Sequence, residues 1–176
     1  MSVSTTNRHS RILMTLSNSV VGLMRTREAY ALQKGCNLVY SNQGVKSLID
    51  VSAIKDTKTF REETMNNLDY VQPDFILFNG NWRLCNLEDT KIAGCPNLIV
   101  EVWSPEDTKE ERDFKFNLYS SSPTTEHWYI NQDSDFVKCY YGADHISVQK
   151  ISNVLIAMCG VQFDLRYLFT YGVREV

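Results

Sequence analysis

Residues 98–103 read Leu-Ile-Val-Glu-Val-Trp, an apolar run with one acid inside it, and that acid limits the folds open to this chain more than any other feature. A run this short, β-branched in composition and followed at once by Ser104-Pro105, reads as a buried strand. An ionised carboxylate in the middle of a buried strand costs several kcal/mol unless a cation accompanies it. Strand alternation sets Ile99, Glu101 and Trp103 on one face and Leu98, Val100 and Val102 on the other, so the carboxylate points into a defined layer. A half-exposed strand with its polar side outward is the competing reading. At Ser104 the pattern changes to a helix start: Ser104 suits the N-cap, Pro105 the first helical position, and Glu106 with Asp107 the positive end of the helix dipole. That helix is predicted to run to about Tyr119 with Phe114 and Leu118 facing inward, and Pro123 stands beyond its end.

The remaining elements follow from periodicity and turn chemistry. From Arg11 to about Leu32, Ile12, Leu16, Val20, Leu23 and Met24 recur at helical spacing, with Gly35 as a plausible cap, which predicts one long amphipathic helix. Residues 36–40 and 45–49 read as short strands around a turn at 41–44, and residues 50–67 as an irregular polar excursion. Residues 75–78 form a β-rich run ending in Asn79-Gly80, a hairpin signal with residues 82–85 as the expected return strand. Residues 127–130, 136–141 and 145–151 predict successive antiparallel strands, and residues 165–169 a short terminal helix.

At 176 residues, 43% apolar and 22% charged, the chain fits one domain spanning residues 1–176 with a real core. Its longest apolar runs are far below the roughly 20 residues that cross a bilayer. The apolar stretch after Arg8 and Arg11 is broken by Thr15, Ser17, Asn18 and Ser19, so it makes a poor secretory signal, and the mature chain is expected to start near Met1. Five cysteines, odd in number and never spaced as Cys-x-x-Cys, argue against a disulfide framework or a zinc site and for reduced thiols in cytoplasm. The net charge of −3 speaks weakly against a nucleic-acid partner, but the charge is uneven. Residues 1–34 hold five cations against one anion, a balance of +4, which leaves −7 for the rest.

Two further residues are candidates beside Glu101. Asp74 follows Pro73 at the start of the 75–78 strand, where it could share a cation with Glu101; a Pro-Asp pair is also ordinary turn chemistry. Lys115 lies 14 residues after Glu101 on the following helix, which folds back over the sheet and could return the ammonium to the carboxylates. An exposed i,i+4 pair with Glu111 is its alternative. His9, at the start of the first helix, could serve a substrate or supporting role. Trp128, Tyr129, Tyr140 and Tyr141 could stack on bases or pack in the core.

The residues QPDF at 72–75, LIVEVWSP at 98–105, ERDFKFNLY at 111–119 and EHWYI at 126–130 together resemble the Uma-two-type restriction endonucleases of the PD-(D/E)xK nuclease superfamily. Weaker similarity extends through RHSRIL at 8–13, VYSNQGVK at 39–46 and VQFDLRYLF at 161–169. The resemblance implies an α/β fold with a restriction-endonuclease-like core, a mixed sheet flanked by helices. It implies a metal-dependent endonuclease acting on nucleic acid, DNA in the first instance. Asp74 and Glu101 would hold Mg²⁺ or Mn²⁺, and Lys115, on the helix instead of the strand position that Trp103 occupies, would complete the catalytic set. A homodimer is a further expectation, and no membrane partner is implied. The family's amino-terminal segment with a Glu-Leu-Ile-Asp-Gly-like motif has no match upstream of the first helix, so any ligand from it is expected to be missing. The family's usual Ser-Pro-Ser-Thr reads Ser104, Pro105, Glu106, Asp107 here. Two rivals remain on these grounds: a nuclease-fold binding or regulatory module without chemistry, and a carboxylate-pair hydrolase of sugars, which would need no lysine.

Overall fold

The computed structural model describes residues 5–26, 28–33, 36–54, 56, 58–60, 67–80, 85–88, 91–132 and 134–166. Its central sheet has six strands in the order β1 (Ala29–Gln33), β5 (Phe75–Asn79), β8 (Leu98–Trp103), β9 (Glu126–Asn131), β10 (Phe136–Tyr141) and β11 (Asp144–Lys150). Neighbours run antiparallel except β8 and β9, which are parallel with Glu101 opposite Tyr129. A parallel pair needs a crossover, and α2 (Lys109–Ser120) supplies it. A second sheet contains β2 (Asn37–Ser41), β3 (Ser47–Leu48), β4 (Leu68–Val71), β6 (Cys85–Glu88) and β7 (Lys91–Ala93), and β12 (Val154–Ile156) pairs with β13 (Gln162–Asp164). The fold is therefore mixed α/β, as the sequence predicts.

Alternation along β5 and β8 divides the core into two layers. Phe75, Leu77, Leu98, Val100 and Val102 meet Ile12, Leu13, Leu16 and Val20 of α1 (Thr5–Arg25), together with Leu155 and Phe163. On the opposite face Ile76, Phe78 and Ile99 meet Leu118, Tyr119 and the partly buried Phe114 of α2, with Leu38, Tyr40 and Ile92 of the second sheet. Full burial of each such aliphatic or aromatic side chain contributes roughly 1.5–3 kcal/mol. Glu101 sits on the α2 face, as the alternation predicts. In α1 the polar residues Thr15 and Ser19 satisfy their hydroxyls on the carbonyls of Arg11 and Thr15. Among the described residues no helix is long and apolar enough to cross a membrane. Cys36, Cys95, Cys139 and Cys159 are free thiols.

Several predicted boundaries are corrected. The first helix ends at Arg25 instead of about Leu32, and Ala29–Gln33 is a strand on the edge of β5, because Ala29 and Ala31 alternate into the core. Gly80 bends the chain with φ 69° at the end of β5, but among the described residues β5 closes no hairpin. Its two edges already carry β1 and β8, and Cys85 belongs to the second sheet. Residues 81–84, residues 61–66 of the polar excursion and residues 167–169 of the proposed terminal helix lie outside the described residues.

The helix after β8 begins four residues later than Ser104 suggests. Thr108 is its N-cap: its hydroxyl accepts from the Glu111 amide and the Glu111 carboxylate accepts from the Thr108 amide, a capping box. Ser104 instead opens a turn in which Asp107 Oδ2 accepts from its amide at 2.7 Å. Replacing Thr108 with alanine is expected to cost about 1 kcal/mol of stability, which urea unfolding would read as a lower midpoint with an unchanged slope.

Candidate active site

The end of β8, the entry to β5, the first turns of α1 and one face of α2 enclose a cavity of about 260 Å³, lined among others by His9, Asp74, Glu101, Trp103, Arg112 and Lys115. Glu101 is 2% exposed. Its Oε2 accepts from Lys115 Nζ at 2.7 Å and its Oε1 from the Tyr119 hydroxyl at 2.5 Å. Lys115 and Tyr119 are four residues apart on α2 and so share the face turned to the sheet. Burial drives the Glu101 carboxyl up to about 7, a rise that Lys115 opposes and Asp74 adds to. Burial beside Glu101 also pushes the Tyr119 phenol well above its ordinary range, so it keeps its proton and stays a donor.

Asp74 stands where the β5–β8 ladder ends. The register pairs Phe75 with Val100, and continuing it sets Pro73 near Val102. The Asp74 side chain takes over that ladder position, its Oδ2 accepting from the Val102 amide at 2.8 Å. Its Oδ1 lies 3.2 Å from His9 Nε2, which α1 brings over the cavity. Lys115 Nζ also donates to the Gln72 carbonyl at 3.3 Å, so the lysine ties α2 both to β8 and to the segment entering β5.

The structure thus brings Asp74, Glu101 and Lys115 to one cavity, and places His9 with them. Lys115 does not form the exposed i,i+4 pair with Glu111, whose carboxylate is committed to the capping box. Such a pair does exist one turn away, between Lys109 and Asp113. The half-exposed alternative for β8 fails as well, since Leu98 to Val102 are all buried.

Tyr119 and Arg112 escaped the sequence reading as site residues. Arg112, Lys115 and Tyr119 follow the i, i+3, i+7 spacing of one helical stripe, which was the available signal. Of the strand aromatics, Trp128 and Tyr129 are buried, whereas Tyr140 and Tyr141 are half-buried. Trp128 is fully buried with its Nε1 donating to Glu126 Oε1 at 2.6 Å. Tyr129 and Tyr140 pack around His127, with Phe116 against them. Burial lowers the His127 imidazole, which is therefore neutral. Its Nε2 donates to the Gly142 carbonyl at 2.7 Å, leaving Nδ1 to accept from the Tyr129 hydroxyl at 2.8 Å. Gly142 has φ 54°, and a Cβ there would stand 3.3 Å from the Pro123 Cα, so that turn requires glycine.

Among the described residues no three His, Cys, Asp or Glu side chains group as a ligand cage. Two carboxylates are nevertheless a donor set that suits Mg²⁺ or Mn²⁺, hard cations that take one or two carboxylates and complete their shell with water and substrate phosphate. Three of the four carboxylate oxygens accept one hydrogen bond each, Asp74 Oδ1 faces His9 Nε2 at 3.2 Å, and each oxygen keeps a further lone pair.

No curated protein matches the chain. Among solved structures, its fold is similar to that of a protein from Anabaena variabilis described as a "putative nuclease belonging to DUF820", with 16% identity and a TM-score of 0.59 over 93% of this chain and 80% of that one. The family model described as "Putative restriction endonuclease" matches residues 1–156, and the chain accordingly belongs to the Uma2 family.

Proposed function

We propose that the chain is a divalent-metal-dependent nuclease that hydrolyses phosphodiester bonds in nucleic acid, DNA in the first instance, with Asp74, Glu101 and Lys115 as its working residues. The observation that carries this reading is a 2%-exposed glutamate, hydrogen-bonded to a lysine, facing the same cavity as a second carboxylate. A fold keeps so costly a group only where something recovers the cost. Asp74 and Glu101 would hold the metal. When bound, that ion would acidify a water and draw charge from the phosphate.

The chain's own groups do the rest. Tyr119 fixes the Glu101 carboxylate from behind, and Lys115, held between Glu101 and the Gln72 carbonyl, presents an ammonium to the cavity. There it would orient the attacking water and balance negative charge on the phosphoryl oxygens. His9 steadies Asp74 from the α1 side.

A binding module that keeps the fold without chemistry is the second reading, favoured by one observation: Val102, His9, Lys115 and Tyr119 already supply a partner to each oxygen of the two carboxylates. Calorimetric titration with MgCl₂ and MnCl₂ separates the two. The nuclease reading expects saturable binding that Asp74→Asn weakens by about 10–100-fold, with cleavage of a labelled duplex only when metal is present. Metal binding that is absent, or indifferent to Asp74 and Glu101, leaves the binding module.

A further inference from the structure

We infer that Arg112, laid on the Trp103 ring, is the docking point for a backbone phosphate next to the one that is cut. The inference rests on the nuclease reading for the identity of the anion and on its own geometry for the site.

Arg112 lines the same cavity as Asp74, Glu101 and Lys115. Its guanidinium carbon lies 5.0 Å from the centroid of the Trp103 ring, and one Nη donates to the Ser104 carbonyl at 2.8 Å. Stacking and that single bond fix the plane of the fork without using it up. Four of the acids around it have other partners. Glu101 is taken by Lys115 and Tyr119, Asp107 by the Ser104 amide, Glu111 by Thr108, and Asp113 by Lys109. Among the described residues Arg112 has no ion-pair partner, and its Nε is buried without an acceptor. The indole Nε1 of Trp103, in the ring beneath it, is also buried without an acceptor.

Two orphaned donors and an uncompensated charge in one wall call for an anion that brings several oxygens. A phosphodiester offers two non-bridging oxygens in the spacing a guanidinium fork accepts. Arg112 precedes Lys115 by three residues, which places the two cations as neighbours on the helix surface, roughly 5–6 Å apart at Cβ. With Lys115 on the phosphate being cut, Arg112 meets the next one along the strand. The role is positioning through binding and is indifferent to base sequence.

The test uses fluorescence anisotropy of a labelled DNA duplex on the Glu101→Gln background, which removes cleavage from the measurement, with thermal melting of each variant alongside. Adding Arg112→Gln is expected to weaken binding about tenfold near 0.1 M salt and to lower the slope of log affinity against log salt by about one. Arg112→Lys should recover the slope but only part of the affinity, since it restores charge without the fork. In the otherwise wild-type protein, Arg112→Gln should raise KM by more than it lowers kcat. A lower melting temperature with unchanged affinity and salt slope would make Arg112 a purely structural residue and overturn the inference. Should the wild-type protein cleave nothing while Arg112→Gln still loses one unit of slope, the phosphate site stands and the nuclease reading falls. A chain that binds no duplex at all overturns both.

Discussion

Lys115→Ala is expected to reduce phosphodiester cleavage by 10²–10⁴-fold, the range ordinarily lost with a positioned proton-transfer or charge-stabilising group. The same substitution is expected to destabilise the fold in a pH-dependent way. Lys115 donates to Glu101 at 2.7 Å, and the lysine side chain is 27% exposed whereas that of Glu101 is 3% exposed. Removing it takes away the charge that holds the carboxyl down and leaves Tyr119 as its one side-chain donor, so above pH 7 the buried group must stay ionised without a cation or take a proton from dilute solution, a loss of about 3 kcal/mol. At pH 5 Glu101 carries a proton and the loss should shrink to under about 1 kcal/mol. The double variant Lys115→Ala, Glu101→Gln should regain most of the stability at pH 8 and none of the activity. Chemical denaturation of the four proteins at both pH values, beside a cleavage assay, forms the cycle. Full activity in the single variant would remove Lys115 from the chemistry and reopen the sugar-hydrolase reading, which needs no lysine.

The second large effect is the pH response of Glu101 itself. Its carboxyl titrates near 4.5 when unfolded and near 7 when buried. The folded state therefore holds a proton that the unfolded chain has released, so this group's contribution is whole below about 4.5 and is lost as pH rises through about 7. The size is on the order of 3 kcal/mol. Two other buried groups also titrate. Glu126 is raised by burial and adds to the trend, whereas His127 is lowered and opposes it as pH falls below 6.5. The wild-type curve minus that of Glu101→Gln isolates the one carboxyl, and the difference should drift steadily between pH 5 and 8. Metal binding requires the same proton to leave, so Mg²⁺ affinity should rise by close to tenfold per pH unit up to about 7 and then level off. A difference curve that stays flat would mean Glu101 is ionised throughout, and the proton-metal competition would be withdrawn.

How much of this was legible beforehand varied with how local the cause was. Leu98–Trp103 and the body of α2 announce themselves, because a six-residue apolar strand with one acid and an abrupt change of period leave little choice. The start of α2 was misplaced since Ser104-Pro105 and Thr108-x-x-Glu111 are both proper helix openings. Only the turn formed by Asp107 on the Ser104 amide decides between them. The helical spacing from Ile12 to Met24 runs on without a breaker to about Leu32, and only pairing with the edge of β5 makes Ala29–Gln33 a strand. The proposed trio is nameable through the resemblance, since spacing alone leaves Asp74 open to turn chemistry and Lys115 to an exposed pair with Glu111. Tyr119 and Arg112 were not, because an inward face set by Phe114 and Leu118 does not say which of the residues flanking it reach Glu101 and Trp103, and that depends on how α2 lies across the sheet.

The aspartate's place in the strand ladder bears on how such a site would decay. Asp74 does backbone work, accepting from the Val102 amide where the β5–β8 ladder ends, so its loss strands that amide. Glu101 meets only side chains and Lys115 adds one longer bond to the Gln72 carbonyl, and a buried ion pair can be exchanged for apolar side chains at little or no thermodynamic loss. In a lineage released from selection for cleavage, the glutamate and lysine would drift away together while the aspartate lingered as architecture. A retained aspartate alone is then weak testimony of a working nuclease, and an intact glutamate-lysine couple is the stronger witness.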